Sequence, residues 1–316
     1  MRNMKLIVIL GQTATGKSDF AVQVAKEINR LNQSKLIART LQSKVLGEII
    51  SADSRQVYKG MDLGTGKITK KEMKNIPHHL LDVTSPKKIF SVNDFQKMAH
   101  KKIKEIFKRN NVPIICGGTG FYIDAVTNNT IFPEVSPNYE LRAKLEKKTK
   151  EKLFEMLEKL DINRSKNIDK NNRVRLIRAI EIVKTLGKVP EIKTRSIFNV
   201  FKIGLKIPDE ILKERIKIRL LSRIKKGMIK EVENLHKNGV SWKRMHSFGL
   251  EYRYISLFLQ KKLTRDEMIE KLNTEIWHFA KRQNTWFKRD KNIIWINPLK
   301  KSDKVQTLRK VKNFLK

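Results

Sequence analysis

Eight residues near the amino terminus, Gly11-Gln12-Thr13-Ala14-Thr15-Gly16-Lys17-Ser18, have the spacing of a phosphate-cradling loop, G-x-x-x-x-G-K-[ST]. The glycines let the backbone wrap an anion with several N–H groups pointing inward, and a following helix adds the positive end of its dipole. Lys17 would neutralise phosphate charge, and the Ser18 hydroxyl can ligate Mg²⁺. Two more strings carry residue types suited to chemistry on such a ligand. Asp53 opens Asp53-Ser54-Arg55-Gln56-Val57-Tyr58, where a carboxylate suits a general base and Ser54 and Gln56 offer donors and acceptors for a base edge. The same Asp-Ser pair also suits a turn or an N-cap. Gly117-Gly118-Thr119-Gly120 could turn N–H groups and a hydroxyl toward a diphosphate, or be a tight turn whose glycines supply positive φ. Lys67, in the loop Gly60–Lys67, is a candidate second cation. His78 and His79 have no metal-ligand spacing to another His or Cys and read as structural or loop residues.

These strings need elements to hold them. Leu6–Leu10 is an apolar run that reads as a strand, and an amphipathic helix follows from about Lys17 to Arg30. Residues 31–45 read as a loop or irregular helical excursion. A second strand, Glu48–Ser51, ends at Ala52-Asp53-Ser54, and a helix near Val92–Asn110 precedes a third strand, Val112–Cys116. Strand and helix alternating in this way imply a parallel sheet covered by helices, with ligands at the carboxyl ends of its strands. The fold class expected is therefore α/β, P-loop NTPase-like, in three segments. Residues 1–128 form the first part of the core, 129–199 a helical insertion, and 200–316 a mostly helical return. Within the insertion Tyr139–Leu160 and Asn172–Leu186 are charged helical stretches; beyond it come the strand Val200–Leu205, helical stretches Pro208–Asn238 and Arg265–Arg289, and a short strand Ile293–Ile296.

Composition narrows the partners. The chain has 316 residues and a formal net charge of +37, and so basic a surface attracts polyanions, nucleic acid foremost. A codon bias toward lysine would raise the charge as well, so the charge alone does not name the partner. One cysteine, Cys116, leaves no internal disulfide and no cysteine-built zinc site. The chain carries no run of eighteen apolar residues and no leader-like amino terminus, so the expectation is a cytoplasmic protein without a membrane segment. Lone monomers are the default expectation for its assembly. The third strand ends in glycines where a P-loop ATPase usually ends a strand in an aspartate, so ATP hydrolysis is not the chemistry expected.

Taken together, Gly11–Ser18, Asp53–Tyr58, Pro77-His78-His79-Leu80-Leu81-Asp82, Gly117-Gly118-Thr119-Gly120-Phe121-Tyr122, Asn171–Glu181 and Ala280–Asp290 resemble the tRNA dimethylallyltransferases, in their order and from about Leu6 to Ile296. The resemblance implies transfer of a five-carbon allyl group from dimethylallyl diphosphate to the N6 amine of the adenosine immediately 3′ of the anticodon. It implies that Asp53 accepts the N6 proton and that Thr119 meets the diphosphate or its bridging oxygen. Lys17, Ser18, the loop N–H groups and Mg²⁺ would carry the leaving diphosphate, with ATP mimicked and not used. It further implies tRNA contacts, at the anticodon stem-loop, from Asp53, Ser54, Arg55, Gln56, Thr119, Arg142, Val174, Arg175, Leu176, Ile177, Arg178, Lys281, Arg282, Gln283, Trp286 and Lys288. The sequence departs from the family's usual Gly-Tyr-Lys-Glu at Gly249-Leu250-Glu251-Tyr252-Arg253, and residues 31–45 exceed the usual link. No Cys/His finger follows residue 290, as in the bacterial type. Transfer to free AMP, ADP or ATP, a small-molecule kinase and a non-catalytic nucleic-acid-binding module remain as alternatives.

Overall fold

The computed structural model describes residues 4–36, 45–191 and 193–316, with the side chains of 31–36 left aside. The chain divides into two compact units, one from the segments Met1–Asn129 and Ser196–Lys316, the other Thr130–Arg195. In the first segment β1 (Met4–Gly11), α1 (Lys17–Leu36), β2 (Gly47–Ser51), α2 (Lys70–Met73), β3 (His78–His79), α3 (Val92–Lys108), β4 (Val112–Gly117) and α4 (Gly120–Thr127) alternate. The smaller unit holds α5 (Tyr139–Leu145), α6 (Lys150–Leu160), α7 (Ile162–Lys166) and α8 (Arg173–Leu186). The chain returns through β5 (Phe198–Leu205), α9 (Asp209–Lys225), α10 (Met228–Lys237), α11 (Trp242–Phe248), α12 (Leu250–Leu259), α13 (Arg265–Phe287), β6 (Ile294–Ile296) and α14 (Lys301–Leu315).

The six strands form one sheet in the order β3-β2-β4-β1-β5-β6, with every pair parallel. This is the P-loop NTPase-like sheet flanked by helices that the alternation predicts. Strands buried on both faces need continuous apolar runs, and Leu6-Ile7-Val8-Ile9-Leu10 supplies one, each residue at most 1% exposed. Leu6, Val8 and Leu10 pack with Phe95, Ala99, Ile103 and Ile106 of α3. Ile7 and Ile9 face Phe20, Val24 and Ile28 of α1. A third cluster joins α9 to α13 around Val57 and Met61. The helical stretch 208–238 is broken in two at Gly227, whose φ of +99 favours glycine. Among the described residues no helix is long and apolar enough to cross a membrane.

The two histidines are strand residues, not loop ones. His78 and His79 pair with Ile49 and Ile50 as the edge strand. Glu48, buried at the start of β2, receives His79 Nε2 at 2.6 Å, Asn111 Nδ2 at 2.6 Å and the Arg109 guanidinium at 2.9 Å. Burial would push the Glu48 carboxyl up; these partners overcome it and hold it below its ordinary value. The smaller unit has its own core of Leu145, Leu153, Leu157, Leu176, Ile177 and Ile180. Residues 37–44 of the expected long excursion lie outside the described residues, while α1 extends through 31–36.

Candidate active site

The loop 11–18 leaves β1 and enters α1 at Lys17. Three of its residues hold positive φ, Gly11 at 144, Ala14 at 61 and Gly16 at 88. Thr15 turns inward, its hydroxyl donating to Gln12 O at 2.8 Å. Thr13, Ala14, Gly16, Lys17 and Ser18 line a cavity of about 380 Å³; Gly11, Gln12 and Thr15 stand behind them. Lys17 is partly exposed as a residue, but its ammonium folds into the loop and donates to Gln12 O at 2.6 Å. Burial, aided by the charge of Arg219, lowers its pKa to about 8, while Cys116 and Asp53 pull the other way.

The ends of β2 and β4 supply the opposite wall, with Ser51, Asp53, Gln56, Cys116, Gly117 and Gly118 in the lining. Asp53 closes a turn and also borders the cavity. Its Oδ1 accepts from Arg55 N at 2.8 Å and Gln56 N at 3.3 Å, closing a turn, and its carboxylate still borders the cavity. Thr119 is set one residue behind the lining. Its N–H donates to Ala52 O at 3.2 Å and its hydroxyl oxygen accepts from Ser54 N at 3.0 Å, which ties the two strand ends together. The hydroxyl proton remains available to another acceptor. Arg55 turns away, its Nε donating to Phe248 O at 2.8 Å.

Spacing alone had not pointed to the cations of α9. Arg215 and Arg219 border the cavity, one turn apart, and Arg223 continues the same row. Arg219 donates to Gly66 O at 3.3 Å. Burial first, then the neighbouring Arg223, lowers its pKa to about 10. Arg223 meets Glu251 at 3.4 Å, both side chains being about 12–13% exposed, and burial raises the Glu251 carboxyl. The divergent stretch 249–253 therefore backs the cationic wall. Tyr252, next along it, donates to Glu231 Oε1 at 2.8 Å, and Glu231 in turn accepts from the N–H groups of Asp62, Leu63 and Gly64. The repeat of arginine every fourth residue was visible in the sequence; that it faces a phosphate loop was not. Lys67, expected as a second cation, is taken by Asp62 and Asp82 at 2.6 Å each.

The residues assigned to RNA separate by exposure. Lys281, Arg282 and Lys288 are exposed at the end of α13. Gln283 is not, being 7% exposed with both ends of its amide used inside the cavity wall. Trp286 donates from its indole to Asp124 Oδ2 at 2.8 Å and packs over Gly120. In the smaller unit, Val174 and Arg175 face outward, but Leu176 and Ile177 belong to the core, so their side chains cannot reach a ligand. Arg142 and Arg178 both hold Glu181, which is 1% exposed.

A family model described as IPP transferase matches residues 56–290, more than half of the chain. The chain is 45% identical over 298 residues to tRNA dimethylallyltransferase 2 of Treponema denticola, covering 92% of this chain and 94% of the relative. It is 39% identical to tRNA dimethylallyltransferase 1 of Syntrophus aciditrophicus, with 92% and 93% covered. Among solved structures it matches the full-length tRNA isopentenylpyrophosphate transferase of Bacillus halodurans with a TM-score of 0.70 and 34% identity, over 98% of this chain and 95% of that one. A family model matched over residues 56–290, with relatives 39–45% identical along nine-tenths of both chains, makes this chain a member of the IPP transferase family.

Proposed function

We propose that the protein moves a dimethylallyl group from dimethylallyl diphosphate to the N6 amine of the adenosine immediately 3′ of the anticodon in tRNA. The observation that carries this is one cavity bordered by a phosphate loop, the carboxylate of Asp53 and the arginines of α9. In the reaction the N6 nitrogen attacks C1 of the allyl group. The new N–C bond forms as the C1–O bond breaks, the N6 proton passes to Asp53, and the diphosphate leaves with the bonding pair. Charge grows on the diphosphate as that bond breaks, so fixed cations and N–H groups act most strongly in the transition state. Lys17, Arg215 and Arg219, with the N–H groups around Gly16, fill that role, and Thr119, just behind the lining, would give its hydroxyl proton to the bridging oxygen.

Mg²⁺ fits the donor set. Ser18 offers its exposed hydroxyl at the first turn of α1, and the described residues hold no group of three His, Cys, Asp or Glu side chains able to enclose an ion. Magnesium takes most of its ligands from phosphates and waters in such sites. Held by Ser18, it would add positive charge beside the leaving diphosphate. The net charge of +37 suits a tRNA partner, with Val174, Arg175, Lys281, Arg282 and Lys288 as its exposed contacts and Arg142 and Arg178 as arginines held in place by Glu181. Incubation with labelled dimethylallyl diphosphate and either unmodified tRNA or free AMP tests the reading. Label should enter tRNA at the N6 amine; label in AMP alone overturns it.

A further inference from the structure

The amide of Gln283 spans two walls of the cavity. Its Oε1 accepts from Thr13 N at 2.8 Å, at the tip of the phosphate loop. Its Nε2 donates to Gly118 O at 2.9 Å, in the turn after β4. One turn earlier on α13, Ala280 O accepts from Gln12 Nε2 at 3.2 Å, so the helix holds the loop at two consecutive residues. The fit is tight. A Cβ on Gly118 would stand 2.3 Å from Gln283 Nε2, and one on Gly120 would stand 2.2 Å from the Trp286 ring. Neither glycine has a positive φ. At Gly120 the missing side chain makes room for the Trp286 ring and at Gly118 for the Gln283 amide, both from the approaching helix and neither a need of the turn.

We infer that Gln283 is a positioning residue for the diphosphate cradle: its buried amide sets the distance between the phosphate loop and the turn of Gly118. A glutamine suits this because one planar group carries an acceptor and a donor pointing apart. The loop tip it holds includes Ala14 in left-handed backbone, a conformation that persists only where neighbours fix it. The assignment differs from a base-reading role, since the amide is buried and each of its two ends is already bonded to the cavity wall. It rests on the cavity being a diphosphate site.

The test measures binding of inorganic pyrophosphate, with magnesium present, and of an anticodon stem-loop RNA, each by calorimetry. Wild type should bind pyrophosphate; if it does not, the diphosphate reading itself falls and takes this inference with it. Gln283→Met, similar in size but without either hydrogen bond, should bind pyrophosphate about tenfold more weakly or worse, as expected for two lost hydrogen bonds. Its RNA affinity should stay within about twofold, the size of change expected of a residue that makes no RNA contact. Gln283→Glu keeps the acceptor for Thr13 and loses the donor for Gly118, and should bind at least as weakly. Gly118→Ala should weaken pyrophosphate binding by pushing the amide aside. In a Gln283→Ala background, where the amide is gone, the same glycine change should cost nothing more. Equal or tighter pyrophosphate binding by Gln283→Met with wild-type binding intact overturns the inference. So does a loss confined to RNA binding, or an undiminished cost of Gly118→Ala in the double variant.

Discussion

Lys17 is held in the ligand-free cavity at a cost to the fold, and replacing it by Met should expose that cost. The lowering of its pKa from 10.5 to about 8 corresponds to about 3 kcal/mol at about 1.4 kcal/mol per pH unit. That is an upper bound, because the residue is partly exposed and solvent screens its surroundings. The hydrogen bond to Gln12 O at 2.6 Å is lost in the variant, which takes back about 1 kcal/mol. Lys17→Met should therefore be more stable than wild type by about 1 kcal/mol at pH 7, raising the melting temperature by about 2 °C. The pH dependence fixes the cause. The unfolded chain keeps the lysine proton up to about pH 10.5 and the folded chain only to about 8. Between these values the unfolded state binds more protons, so wild-type stability rises with pH. The penalty is complete below about pH 8 and gone above about 10.5, so the gap between variant and wild type should close across that window. Denaturant titrations at pH 7 and pH 10 measure it, and calorimetry should show pyrophosphate binding abolished in the same variant. A variant less stable than wild type at pH 7, or a gap independent of pH, refutes the reasoning.

Asp53→Asn keeps the turn acceptor for Arg55 N and removes the base. Transfer should fall by about 10²–10⁴ with tRNA affinity unchanged, as for loss of a general base, and an unimpaired single-turnover rate would reassign the proton. Glu231→Ala strands the N–H groups of Asp62, Leu63 and Gly64 and the hydroxyl of Tyr252; a loss of about 2–4 kcal/mol is expected for an anchor of charge-assisted bonds. An unchanged denaturation midpoint would show that loop to be held elsewhere. Arg175→Ala, at an exposed position of α8, should weaken RNA binding and flatten its logarithmic salt dependence by about one unit if it meets a phosphate. An unaltered slope would remove Arg175 from the interface.

The elements that hold the site were largely legible, and those that complete it were not. Strand β1 announces itself because a strand covered on both faces must be continuously apolar, while β2, β4 and β5 show shorter apolar runs, Ile49-Ile50, Ile114-Ile115 and Val200-Phe201, beside turn or helix signals. β3 escapes because it is two histidines at the edge, placed by the register of Ile49 and Ile50 and by the buried Glu48, contacts that no local pattern contains. Asp53 read as either a turn residue or a candidate base; it does close the turn, with one oxygen, and it still borders the cavity. Arg219 was hidden differently. A basic residue on an amphipathic helix is usually a solvated one, and only the packing of α9 against Gly66 turns it toward the phosphate loop.

The glycines after β4 carry the same lesson one step further. Read locally, Gly118 and Gly120 suggest a turn needing left-handed backbone; in the fold they are not among the positive-φ residues, and what a Cβ would meet is α13, 165 residues along the chain from Gly118. A glycine in a site can thus record the approach of a distant element. Here that element ends in the exposed Lys281, Arg282 and Lys288, while its inner face holds Thr13 and Gly118 through one amide. The helix that offers cations to a polyanion is therefore the one that sets the width of the phosphate cradle, and a change on its inner face should be felt by the diphosphate before it is felt by the RNA.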